Sequence, residues 1–144
     1  MMYQQNNMRW KNASINNSKV ETIGSVGCLL TSLCNIHNAK YNDDMTPPDL
    51  NDKLIMNNGY TNGNLIIWSV VEHILKCSIK HYYEGEVEYD MNSYYIVNFL
   101  HFGTGHFTNL LNKKEDRYNI YDVWDGKRYA IPKPRRIVKV TYND

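Results

Sequence analysis

The sequence has too few cysteines for a disulfide framework. There are three in 144 residues, Cys28, Cys34 and Cys77, and the number is odd. None has the Cys-x-x-Cys pairing of a structural zinc site, so no metal is expected and at least one thiol should be free. No apolar run approaches the ~20 residues that span a bilayer. The N-terminus, MMYQQNNMRW, is polar where a secretion signal is apolar. These absences predict a chain made in the cytoplasm, without a membrane partner; release by lysis is compatible with them. Charge of one sign is lacking too. The net charge is +1, which speaks against nucleic acid as a partner. The one basic cluster, Pro132 to Arg136 (PKPRR), reads as a solvated loop. There is no internal repeat and no low-complexity linker.

What remains fits one globular domain, residues 1–144, able to bury about two thirds of its unfolded surface. Apolar residues make up 42% and charged residues 22%, which is ordinary for a soluble domain. Asn, Lys, Ile and Tyr, whose codons are rich in A and T, are abundant. A genome low in G and C, bacterial or phage, is the expected source.

Residues 1–27 read as an irregular arm, with turn signals at Asn12, Asn16, Asn17 and Gly24. Leu29 to Asn38 is expected to be a helix, with Leu30, Leu33, Cys34 and His37 on one face. Thr46-Pro47 caps and opens a second helix, which runs through Leu50, Leu54 and Ile55 to a stop near Asn58-Gly59. A third is expected from Leu65 to Lys76. The texture then changes. Ile79–Tyr83, Tyr94–Phe102, His106–Leu111, Arg117–Tyr121 and Ile137–Tyr142 are short runs rich in Val, Ile, Tyr and Phe, as in strands. Helices followed by strands predict an α+β fold with an antiparallel sheet packed on a helical half.

In "TIGSVGCLLTSL", residues 22–33, a cysteine follows a glycine at the start of an apolar helix. The helix N-terminus favours a thiolate there, and Gly27 leaves room for a substrate backbone. Cys34 is in phase with the apolar face and reads as core, and Cys77 as packing. A nucleophilic thiolate needs a base and a group to orient it. Of five histidines, His37, His73 and His81 lie inside expected elements. His106 follows the turn in "HFGTGHF" and opens a strand; His101, before the turn, is the second choice. Asp122, at the end of the strand in "YNIYDVWDG", should meet His106 across a hairpin. Asp125 is the runner-up, but Asp125-Gly126 is a turn signal in its own right. An oxyanion donor can come from the Cys28 N–H and from a side-chain amide among Gln4, Gln5 and Asn6. A metal site built from Cys28, Cys34, His101 and His106 has poor ligand spacing.

"YQQNNMRW", "TIGSVGCLLTSL", "GTGHFTNLL" and "YDVWDG" occur in an order that resembles papain-like cysteine peptidases. They are most similar to the bacteriocin-processing, double-glycine-leader peptidases and their stand-alone relatives, over Tyr3 to about Gly126. The resemblance implies a papain-like fold, with the cysteine-bearing central helix packed on the sheet. It also implies a nucleophile at Cys28, a base at His106, an orienting acid at Asp122 and an oxyanion-hole amide at Gln5, with no cofactor. Leu-Leu-Thr after Cys28, Val123 after Asp122 and Asn7 depart from the common pattern, and these leave the substrate class open. The implied activity is hydrolysis of a peptide or amide bond through a thioester. Its substrate would be a protein or peptide, or else the peptide of a bacterial cell wall, as for a lysin. No transporter segment follows the domain, so the leader-removing role is not implied. A papain-like binding module without turnover is the reading from a different class.

Overall fold

The structure, a computed structural model, describes residues 2–143. Four helices come first: α1 (Ile23–Val26), α2 (Cys28–Tyr41), α3 (Pro47–Met56) and α4 (Trp68–Leu75). Six strands follow: β1 (Cys77–Tyr82), β2 (Ser93–His101), β3 (Thr104–Lys114), β4 (Arg117–Tyr121), β5 (Arg128–Ile131) and β6 (Arg136–Tyr142). They form one antiparallel sheet in the order β1-β6-β2-β3-β4-β5. The expected α+β class is therefore observed. Among the described residues no helix is long and apolar enough to cross a membrane.

Local chemistry explains most boundaries. Thr46 caps α3 with Pro47 in the first turn, as the sequence predicts, and Asp49 completes a reciprocal capping box. The stop falls at Asn57, followed by left-handed Asn58. α2 begins one residue earlier than expected, at Cys28 itself, and runs to Tyr41, where Asn42 takes the left-handed cap (φ 51°). The third expected helix loses its first turn. Ile66 instead pairs with Tyr60, and the Ile67 N–H donates to the Gly59 carbonyl, so the chain enters α4 only at Trp68. Lys76 is the left-handed cap that ends it.

Two elements were not expected. α1 is a single turn closed by a Thr22–Ser25 capping box inside the N-terminal arm. β5 has four residues, too few for an alternation to stand out. The turn before His106 also differs from the expectation. Phe102 and Gly103, both at positive φ (51° and 80°), make the two-residue hairpin, so β3 opens at Thr104 and His106 is its third residue. The next hairpin is tighter than expected as well, turning at Glu115-Asp116 between paired Lys114 and Arg117.

The core lies between the helices and one sheet face. Leu30, Leu33 and Cys34 of α2, Leu50 and Leu54 of α3, Val71 of α4 and Ile96, Val138 and Val140 of the sheet are buried together. Each fully buried Leu or Ile contributes roughly 1.5–3 kcal/mol. The period of two sends their neighbours to the other face, where Val97, Tyr118, Ile120, Ile131 and Ile137 form a second cluster. His37, expected on the apolar face of α2, instead reaches Asp43 at its edge (2.9 Å).

Polar bonds fasten the N-terminal arm to this core. The buried Asn35 of α2 accepts from the Tyr3 N–H (2.6 Å) and donates to the Tyr3 carbonyl (3.0 Å) and to Asn109 Oδ1 of β3 (2.9 Å). Asn109 in turn donates to the Ser32 carbonyl of α2 (3.0 Å). Trp10 Nε1 donates to the Gln4 carbonyl (2.9 Å). Asn35→Ala should leave several buried partners unpaired and cost ~2–4 kcal/mol in urea unfolding. A loss below about 0.5 kcal/mol would show that the arm is held by other means.

Candidate active site

Four polar residues from four separate segments meet where α2 begins. Cys28 is the first helical residue, so its N–H is not used within the helix. Gly27 before it is fixed by packing rather than by space for a ligand: a Cβ there would sit 2.4 Å from the Ile23 carbonyl oxygen. That corrects the reading of Gly27 as substrate clearance. The Phe107 N–H of β3 points at Cys28 Sγ (3.5 Å), and His106, one residue earlier, lines the same cleft, near enough for the thiol to act on its pKa.

His106 Nε2 lies 2.7 Å from Asp122 Oδ1, and both side chains are buried. The carboxylate has further partners. Oδ1 accepts the Trp124 N–H (2.9 Å), and Oδ2 accepts the Tyr129 hydroxyl of β5 (2.5 Å). His101 Nε2 stands 3.5 Å from Oδ2. The backbone around Asp122 is equally constrained. Its N–H donates to the Lys127 carbonyl (2.8 Å), and its carbonyl accepts from Gly126 (2.8 Å). Thr108 Oγ1 donates to the Tyr121 carbonyl and accepts from the Val123 N–H, fixing the chain on both sides of the acid.

These contacts set the protonation states. Burial pulls the His106 imidazolium down, but the bond to Asp122 and the neighbouring Cys28 outweigh it and raise its pKa to about 9. Burial pushes Asp122 up, yet His106, the Tyr129 hydroxyl and the Trp124 N–H hold it at about 2. At neutral pH the pair is imidazolium and carboxylate. Burial raises Cys34 well above the usual thiol range, and burial with Glu72 nearby raises Cys77 to about 11.

Of the three candidate amides, Gln5 is the buried one that lines the cleft with Cys28 and His106. Its own N–H is tied to the Val123 carbonyl (2.7 Å), and Nε2 donates to the Gly24 carbonyl (3.1 Å). Gln4 packs instead against Gly126, and Asn6 is exposed. Asp125 accepts the Lys127 N–H as a turn residue, in keeping with the turn signal. Cys34 lies in the apolar core, so Cys28, Cys34, His101 and His106 do not converge as metal ligands. The cleft encloses about 370 Å³ and is rimmed by Val26, Phe102 and Trp124.

Tyr129 and Thr108 escaped the sequence reading. Tyr129 belongs to the strand too short to recognise. Thr108 carried one available signal, its place two residues after His106 on the same face of β3. No protein-family model matches the chain, and no curated protein matches it.

The charged pair links stability to pH with a defined sign. Asp122, lowered from 3.8, stabilises the fold above about pH 4 and loses that contribution as pH falls toward about 2. His106, raised from 6.5, stabilises below that value and loses its contribution as pH rises to about 9. The stability difference between the wild type and Asp122→Asn should therefore be largest near pH 5–6, at ~1–2 kcal/mol, and shrink on both sides. A difference flat from pH 2 to 9 in urea titrations would contradict the charged pair.

Proposed function

We propose that the chain is a papain-like cysteine peptidase that hydrolyses a peptide or amide bond in a protein or peptide substrate. The observation that carries this reading is the continuous series Cys28–His106–Asp122, with the thiol at a helix start and the acid buried behind the imidazole. That arrangement supplies a nucleophile, a proton carrier and an orienting charge at one cleft. A cleft of about 370 Å³ falls in the size range of small-ligand and peptide sites.

The chemistry follows from the parts. The Cys28 thiolate attacks the carbonyl carbon, and a C–S bond forms. Negative charge on the carbonyl oxygen is met by the Cys28 N–H and by the N–H of the Gln5 amide that is not engaged with Gly24. The C–N bond breaks as His106 gives its proton to the leaving amine. Water then attacks the thioester. His106 takes the water's proton, the C–S bond breaks, and the acid product leaves with the thiolate and imidazolium restored. Asp122 keeps its charge throughout and holds the ring so that Nδ1 can serve the sulfur.

Thiol labelling tests this without a known substrate. Iodoacetamide at pH 6, read by peptide mass spectrometry, should modify Cys28 at least about tenfold faster than Cys34 or Cys77, whose thiolates are disfavoured. His106→Ala should remove the advantage. On any peptide the protein cleaves, Cys28→Ala should abolish turnover, and Gln5→Ala should lower kcat about 10²-fold. Equal labelling of the three thiols would replace the peptidase with a binding module on the same scaffold.

A further inference from the structure

Asp122 faces two imidazoles, and the reaction described above uses one. His106 takes Oδ1 at 2.7 Å, and His101 stands 3.5 Å from Oδ2. The two rings face each other with centroids 4.9 Å apart and planes 33° from parallel. They differ in access. His101's side chain is 21% exposed on the cleft wall, against 9% for His106. His101 comes from the end of β2 and His106 from β3, so the β2–β3 hairpin carries both to one carboxylate. The ionisable groups facing His101 are Asp122 in the loop after β4 and His106 on β3. Tyr129 of β5 shares Oδ2, and Cys28 of α2 lies beyond His106.

We infer that His101 is a positioning residue that carries a proton beside the Asp122 carboxylate while His106 is neutral. The need for it arises from the charges in the proposed cycle, and the inference rests on that cycle. In the resting site a thiolate, an imidazolium and a carboxylate leave one net negative charge. Once Cys28 is acylated and His106 has given its proton to the amine, the thiolate is gone and the buried carboxylate has lost its cation. Re-protonation of His106 from solvent would restore that cation but remove the base that water requires. A proton on His101 compensates Asp122 through Oδ2 instead. Its positive charge, one ring away, also disfavours a second proton on His106. His106 stays neutral and takes the proton of the attacking water. No atom of His101 touches the substrate carbonyl in this scheme.

The test needs no substrate. Cys28→Ala removes the thiolate, as acylation does, and leaves the two imidazoles on one carboxylate. The C–H signals of His106 and His101 are then followed by NMR against pH. The His106 curve should be biphasic, its acid half coinciding with the His101 titration. Adding His101→Gln should convert it to a single step and move the acid half up by about one pH unit. Adding His101→Lys, which carries a fixed charge to the same place, should move the His106 curve to lower pH. A purely structural role would not reverse sign between Gln and Lys. Identical His106 curves in all three proteins would overturn the inference. Iodoacetamide labelling of the wild type reads the peptidase proposal separately, so fast Cys28 labelling with uncoupled histidines would refute this inference alone.

Discussion

The site depends on how α2 lies against β3. Cys28 is on the helix and His106 on the strand, 78 positions apart in the sequence, and nothing local brings them together. Two asparagines do. Asn35 and Asn109 bond to each other, Asn35 holds the Tyr3 backbone, and Asn109 holds the Ser32 carbonyl of α2. Apolar contacts at Leu30 and Leu33 supply most of the driving force, but such contacts are tolerant of small sliding. Directional bonds between buried amides are not, because a shifted register leaves them unpaired in a poor solvent. The helix is thereby indexed to the strand, and the thiol at its first residue is placed against the imidazole.

The same logic governs the acid. A carboxylate with almost no exposure is unfavourable unless its oxygens are occupied. Here the Trp124 N–H, the Tyr129 hydroxyl and two histidines occupy them. The surrounding backbone is closed by the Lys127, Gly126 and Thr108 bonds. The acid therefore stays ionised at low pH, and its field maintains the His106 cation to high pH. Strand β5, though only four residues long, supplies the Tyr129 hydroxyl that caps the outer oxygen. The sheet edge is thus part of the electrostatics of the site.

Much of this was legible in the sequence where the signals were local. The Thr46 cap with Pro47, the Gly-Cys helix start, the antiparallel strands and the choice of Cys28, His106 and Asp122 all follow from spacing and residue type. The failures have physical causes. Ile66 obeys the helical period but is captured by Tyr60 through backbone pairing, which no periodicity encodes. β5 is shorter than the window over which alternation can be recognised. Asn35 and Asn109 look like ordinary polar residues until the fold buries them as partners. His101 ranks second to His106 in the sequence because it lies before the turn, and the sharing of one carboxylate by two rings exists only in three dimensions.

The rim of the cleft is where the chain departs furthest from its local preferences. Phe102 occupies the first position of a hairpin turn that favours Asn or Gly, at φ 51°, with 94% of its surface exposed. Left-handed backbone at a residue with a Cβ costs roughly 1–2 kcal/mol, and the exposed ring offsets little of it beyond an edge contact with His101, centroids 4.4 Å apart. Trp124, two residues after the acid, is also exposed at the cleft. The turn itself explains the tolerance. A two-residue loop keeps His101 paired with Thr104 and Phe99 with His106, and this register points both imidazoles at Asp122. A longer, unstrained loop would free the register and with it the alignment of the rings. The strain at Phe102 is therefore the local consequence of holding two histidines on one carboxylate, at the end of a hairpin that must stay short.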